Sequence, residues 1–228
     1  EEIRARVIFN KKENITIAII TDTKNKSKQE KCVELIRSKE GQNILKKQSD
    51  KMNKTVERLP DYPIKGGVSA PFAGVHGNKL IVAGGCNFPD TPASEGGKKI
   101  FYDDIFYLDI SKPDNNWIKG ESFPYKVAYG AYVTTEDGII CIGGQNEEGA
   151  INKVVRIYFD EKAQKTMVKN LPALPVGIFN AGATIISRSI YVAGGVSSMD
   201  KSHYIYSLNL DKIQEGWQKI TTNQQEER

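Results

Sequence analysis

The sequence predicts an all-β protein of repeated four-stranded blades set around an axis, a β-propeller, and three observations predict it. A hydrophobic strand ending in Gly-Gly recurs three times. Each recurrence is followed, after a loop, by an aromatic-rich strand. The glycine pairs lie 59 and then 51 residues apart (84 to 143 to 194), the spacing of one repeating unit.

The Gly-Gly strands are Leu80-Ile81-Val82-Ala83-Gly84-Gly85, Ile139-Ile140-Cys141-Ile142-Gly143-Gly144 and Ile190-Tyr191-Val192-Ala193-Gly194-Gly195. Each follows an apolar strand and a short polar turn, at Gly77-Asn78, Glu136-Asp137-Gly138 and Ser187-Arg188, which are hairpin signals. The aromatic strands are Ile105 to Asp109, Val155 to Asp160 and Tyr204 to Leu208. A fourth strand carries Trp117, Met167 or Trp217, and Phe123-Pro124 or Leu171-Pro172 closes the unit. Four short antiparallel strands make a blade buried on both faces, and paired glycines let its strand end where backbones crowd together. A period near 50 is that of a kelch unit, so residues 58–228 read as a kelch-type β-propeller with blades at about 60–124, 125–172 and 173–228.

Residues 1–57 read as a small αβ segment. Ile15 to Ile20 is a strand, Ser27-Lys28-Gln29-Glu30 has capping-box spacing for a helix through Ile36, and a second short helix is expected from Gly41 to Lys47. This segment is too small for a core of its own. Its amino end, Glu1-Glu2-Ile3-Arg4, has neither an initiator Met nor a signal-peptide apolar run, and reads as a start inside a longer protein or as a mature end.

Composition excludes several classes. The net charge of +4 is concentrated in residues 1–57, where 14 Lys/Arg face 9 Asp/Glu, and those lysines are scattered among acids rather than interleaved with aromatics. No nucleic-acid face is expected. No apolar run approaches the roughly 20 residues of a membrane span, so no membrane insertion is expected. Cys32, Cys86 and Cys141 are odd in number and carry no CxxC spacing, and His76 and His203 have no matching partner; neither a metal site nor a catalytic dyad is expected. Cys86 and Cys141, each beside a Gly-Gly pair, read as small apolar packing residues.

The stretch Phe72-Ala73-Gly74 through Gly84-Gly85, then Ser94-Glu95-Gly96-Gly97-Lys98-Lys99 and Tyr102-Asp103-Asp104-Ile105, resembles the kelch-type N-acetylneuraminate epimerases (sialic acid mutarotases). That family carries a similar Glu-Gly-x-Lys-Lys in the same loop. Ala128-Tyr129-Gly130 before Ile142-Gly143-Gly144-Gln145 is also similar. Pro175 to Ala183 looks like the opening blade of the unpermuted enzymes, yet follows the blades that normally come last, as in the family's cyclically permuted branch. The resemblance implies a six-bladed ring, of which three blades are read here, and interconversion of the α and β anomers of sialic acid. Such chemistry needs a base for the anomeric hydroxyl and an acid for the ring oxygen, with no cofactor, metal or nucleotide. It also implies a small-molecule sugar substrate and a periplasmic location. Three blades expose two unpaired blade faces, so the chain is expected to be unstable, truncated relative to its native form, or paired with a second half-propeller or homodimer. The blades on which the family places its proposed catalytic Glu and Arg have no counterpart here, so no catalytic residue carries over. Separately, Thr16 to Ile20 with Val33 to Gln42 and Ile44-Leu45 resembles the tail of ABC-type periplasmic substrate-binding proteins.

The long loop Cys86 to Tyr102 is the expected ligand-contacting segment. Within it Asn87, Glu95, Lys98 and Lys99 suit a hydroxyl-rich anionic sugar, and Gln145 follows the second glycine pair toward the same mouth. Against this stands an ion pair between Glu95 and one of the lysines, with both solvated. Tyr129, Tyr132 and Phe179 suit either stacking on a sugar ring or core packing. Trp117 and Trp217 read as packing anchors, and Arg188 as a solvent-facing turn residue. The competing function is a non-catalytic kelch module that binds a protein or glycan, because one fold hosts many functions.

Overall fold

The computed structural model describes residues 5–10, 15–20, 59–112, 115–197 and 205–220. The chain divides into two compact units, Glu1–Asp61 and Tyr62–Arg228. In the first, β1 (Ala5–Asn10) and β2 (Ile15–Ile20) form an antiparallel hairpin with Ala5 opposite Ile20. The strand expected at Ile15 to Ile20 is present; the two expected helices lie outside the described residues.

The second unit is a kelch-type arc of three four-stranded antiparallel blades. Blade 1 has the order β3 (Phe72–His76), β4 (Lys79–Ala83), β7 (Ile105–Asp109), β8 (Ile118–Lys119). The intervening β5 (Cys86–Asn87) and β6 (Ile100–Phe101) pair with each other. Blade 2 is β9 (Ala131–Thr135), β10 (Gly138–Ile142), β13 (Val154–Asp160), β14 (Lys165–Leu171), with β11 (Gln145–Asn146) paired to β12 (Gly149–Ala150). Blade 3 is β16 (Gly182–Ile186), β17 (Ser189–Ala193), β19 (Ile205–Asn209), β20 (Gln218–Ile220), and the segment leading into it, β15 (Ile178–Phe179), pairs with β18 (Val196–Ser197) after the glycines. The first strands β3, β9 and β16 neighbour one another, so they form the inner edge from which the sheets fan out.

Continuous apolar runs in β4 and β10 follow from burial on both faces: Ile81, Ala83 and Ile142 have no exposed surface, and Ile139 and Ile140 are 1% exposed. One core fills the seam between blades 1 and 2 with Phe72, Ile81, Ile105, Phe123, Ile139 and Val155. A second fills the next seam with Val133, Ile140, Ile142, Leu174, Ile190 and Trp217. Each fully buried aliphatic side chain contributes about 1.5–3 kcal/mol.

The six paired glycines all have positive φ, from 61° at Gly143 to 116° at Gly144, as the repeat requires. Close approach demands them too. A Cβ at Gly84 would lie 2.5 Å from the Val127 carbonyl oxygen, and one at Gly143 2.4 Å from that of Ile178. The backbone repeats across seams: Gly85 N–H donates to Val127 O and Gly144 N–H to Ile178 O.

The same bonds revise one motif. Phe123 N–H donates to Asp103 O and Leu174 N–H donates to Asn152 O, so Phe123-Pro124 is matched by Leu174-Pro175 rather than by Leu171-Pro172. Leu171 instead ends β14, pairing with Val154. Trp217 is an anchor as expected, 8% exposed with its indole N–H donating to Pro172 O at 2.8 Å. Trp117 packs edge-on to Tyr62, which also meets Phe106 edge-on, at 5.3 Å in both cases. Arg188 is exposed in its turn and pairs with Asp211.

Candidate functional site

The long loop Cys86 to Tyr102 is folded back on itself. The β5–β6 ribbon sets Cys86 opposite Phe101 and Asn87 opposite Ile100, and a 3-10 turn at Ala93–Glu95 occupies its tip. The ribbon lies beside the lead-in of blade 1, where Ser69 bridges to Cys86, as Ala128 bridges to Gln145 in blade 2.

Lys99 enters this site from the position just before β6, on the loop side of the ribbon. Its ammonium donates to the Tyr129 hydroxyl at 3.1 Å and stands over the rings of Tyr129, Phe88 and Phe101 at 5.0, 5.7 and 6.0 Å. Among the described residues no carboxylate pairs with it. The Tyr129 hydroxyl is also hydrogen-bonded with the Cys86 thiol at 3.3 Å.

The electrostatics keep this cluster cationic. The hydrogen bond to Tyr129 raises the Lys99 pKa against the opposing effect of burial. Burial raises the Tyr129 phenol, the Cys86 contact adds to that, and Lys99 partly offsets it. Burial likewise pushes the Cys86 thiol up. At neutral pH the site is a protonated amine and a neutral phenol on an aromatic floor, able to hold an anion at the amine.

Backbone geometry fixes Tyr129. It has φ 63°, and Ala70 and Asn180 hold the same left-handed conformation at the matching places in blades 1 and 3. Tyr129 N–H donates to Ala70 O and Asn180 N–H donates to Tyr129 O, so these three residues run blade to blade along the inner edge. A tyrosine here is held by its neighbours in a conformation that costs about 1–3 kcal/mol.

The five sequence candidates separate. Lys99 is in the cluster. Asn87 is engaged by its own chain: its amide donates to Lys65 O and Gly67 O, and its carbonyl accepts from the Tyr102 hydroxyl at 2.8 Å, so it staples the ribbon rather than offering free polar atoms. Glu95 and Lys98 are exposed on the ribbon, and the ion pair weighed between Glu95 and a lysine is not formed. Gln145 is half-buried, its backbone paired with Ala128 next to Tyr129. Tyr132 packs edge-on to Phe72 in the seam, and Phe179 lies half-buried in β15.

What sequence reasoning missed is the Cys86–Tyr129–Lys99 junction, in which Cys86 is more than packing. Aligning Tyr129 with Ala70 and Asn180 was the available signal, since a large polar aromatic there stands out. His76, unpaired in sequence, accepts from Phe159 N–H at 3.0 Å across the seam. Among the described residues no group of His, Cys, Asp and Glu could hold a metal ion, and no helix is long and apolar enough to cross a membrane.

No family model matches the chain. Among curated proteins, N-acetylneuraminate epimerase of Yersinia enterocolitica is 30% identical over 101 residues, 40% of this chain and 25% of the relative. That of Brucella suis is 30% identical over 107 residues, 42% of this chain and 26% of the relative. The chain is similar to the N-acetylneuraminate epimerases over part of its length. The matched stretch spans about a quarter of these epimerases. A third epimerase, from Vibrio cholerae, is 32% identical over 91 residues, 36% of this chain and 23% of the relative. Among solved structures, YjhT matches with a TM-score of 0.50 at 13% identity, covering 73% of this chain and 54% of that one, a likeness of fold alone.

Proposed function

We propose that this chain supplies part of a propeller that binds a carboxylate-bearing sugar of the sialic acid class and interconverts its anomers. The observation that carries the reading is the Lys99 ammonium, held over three rings with no carboxylate partner among the described residues, in a chain similar to N-acetylneuraminate epimerases. Lys99 would hold the sugar carboxylate by a charge-assisted hydrogen bond, and the ring faces suit the apolar face of the pyranose. The Tyr129 hydroxyl would meet a sugar oxygen. Gln145, beside Tyr129, would meet hydroxyls, with Glu95 and Lys98 further out on the ribbon.

The test is α/β exchange of N-acetylneuraminate followed by NMR, with a full-ring protein that carries these blades and its Lys99→Met and Tyr129→Phe variants. Acceleration by the unaltered full ring, with apparent affinity weakened about tenfold or more in Lys99→Met, is the expected result, since a hydrogen bond to a charged group contributes about 1.5–3 kcal/mol. Binding without acceleration would favour the non-catalytic glycan-binding module. Neither binding nor acceleration would overturn the reading.

A further inference from the structure

We propose that Gln145 and Asn180 form the neutral half of the Lys99 site and take the acylamino substituent of the sugar whose carboxylate Lys99 holds. This orientation rests on the sialic acid reading, adds Asn180 to the site, and narrows the role of Gln145 from sugar hydroxyls to one substituent.

The backbone builds the same junction twice. At the first, Ser69 and Cys86 exchange backbone hydrogen bonds and Tyr129 N–H donates to Ala70 O. At the second, Ala128 and Gln145 exchange the same pair and Asn180 N–H donates to Tyr129 O. The short ribbons match as well, with Cys86 opposite Phe101 and Gln145 opposite Ala150. Gln145 therefore stands where Cys86 does, Ala150 where Phe101 does, and Asn180 where Tyr129 does. Asn180 has φ 56° against 63° at Tyr129, so its side chain leaves the backbone as that of Tyr129 does, toward the preceding blade. For Tyr129 that direction ends on Cys86; for Asn180 it leads to Gln145.

The chemistry differs between the two junctions. Two aromatic rings fill the first, where the Cys86 thiol and the Tyr129 hydroxyl hydrogen-bond to each other. At the second, a methyl group and a short amide take the places of those rings, leaving Gln145 half-buried and Asn180 exposed. Among the described residues neither of these two side-chain amides has a hydrogen-bond partner. The connections differ too. Twelve residues, 88–99, join β5 to β6 and bring in Lys99, whereas two, Glu147 and Glu148, join β11 to β12. Glu148 precedes β12 as Lys99 precedes β6. Both glutamates are exposed, and among the described residues neither pairs with a cation.

A cation at one junction and acids at the next give the ligand a direction: its carboxylate is drawn to Lys99 and repelled from blade 2. What reaches Gln145 and Asn180 is then a neutral polar group. Each carboxamide offers both a donor and an acceptor, which is what the carbonyl and N–H of a secondary amide require; a hydroxyl presents both functions at a single atom. Sugars of the sialic acid class carry such an amide as well as the carboxylate. Asparagine also tolerates the left-handed backbone at this place better than most residues.

The test compares two sugars by calorimetry on a full-ring protein that carries these blades: N-acetylneuraminate, and its deaminated analogue with a hydroxyl in place of the acetamido group. Asn180→Gly removes the amide, and glycine adopts φ 56° without strain, so the circular dichroism spectrum is expected to be retained. Gln145→Met gives a second, independent reading. Each variant is expected to weaken N-acetylneuraminate about three- to tenfold and the analogue by less than about twofold. Lys99→Met is expected to weaken both sugars alike. If Lys99→Met does so while Asn180→Gly and Gln145→Met weaken both sugars equally, or neither, the proposal is overturned and the sialic acid reading stands. Absence of binding by the unaltered ring would overturn both.

Discussion

Gly143→Ala is the sharpest probe of the seam. Alanine at φ 61° enters the left-handed region, at about 1–2 kcal/mol. Its Cβ would also stand 2.4 Å from Ile178 O and 3.1 Å from Ile151 O, both backbone atoms held by their own hydrogen bonds. Displacing them is an overpacking of about 1–3 kcal/mol. Weakening the Gly144 to Ile178 bond adds about 0.5–1.5 kcal/mol. The sum, about 2.5–6.5 kcal/mol, is a large part of the 5–15 kcal/mol that stabilises a typical domain. Gly96→Ala is the control: φ is 81° but nothing lies within 4 Å of the new Cβ, so only the backbone contribution of about 1–2 kcal/mol remains. Equilibrium urea unfolding followed by circular dichroism, with the slope checked for constancy, measures both. If the two variants lose the same stability to within about 0.5 kcal/mol, blades 2 and 3 do not meet as closely as described and the reasoning fails.

Phe123→Ala removes a ring that is 1% exposed, stacked on Phe72 and edge-on to Tyr125; a loss of about 3–5 kcal/mol in the same urea assay is expected, and a loss under about 1 kcal/mol would contradict its place as a seam wedge. The hydrogen bond from Lys79, aided by Ser111, holds the Asp109 carboxyl well below the usual carboxylate range. Its contribution is therefore present above the ordinary carboxylate pKa of about 4 and is lost as pH falls through the depressed value. Thermal melts should show a steeper acid decline in the unaltered chain than in Lys79→Met, and parallel curves would refute this. Burial pushes the thiols of Cys86 and Cys141 up, so in a Cys32→Ser background neither should react with a thiol reagent at pH 8 until urea unfolds the chain; prompt labelling of Cys141 would contradict its burial.

The sequence by itself determined the blades, because local chemistry is enough to specify them. Apolar strand runs, short polar turns and glycine pairs each restrict the backbone within a few residues, and the recurrence of the pairs at 84, 143 and 194 exposes the repeat. It also marked the Cys86 to Tyr102 segment and Lys99 within it. Only the tertiary structure decided which of the marked residues meet. Asn87 and Lys99 are equally suited to a sugar by type, but the ribbon's pairing directs the amide of one into its own chain and carries the amine of the other to Tyr129, 30 residues away. Leu171 and Leu174 are both leucines before prolines, and only the bond to Asn152 selects the wedge. The physical reason is common to these cases. Strand and turn formation answers to neighbours along the chain, whereas partnership across a seam depends on register between blades, which no short stretch of residues encodes alone.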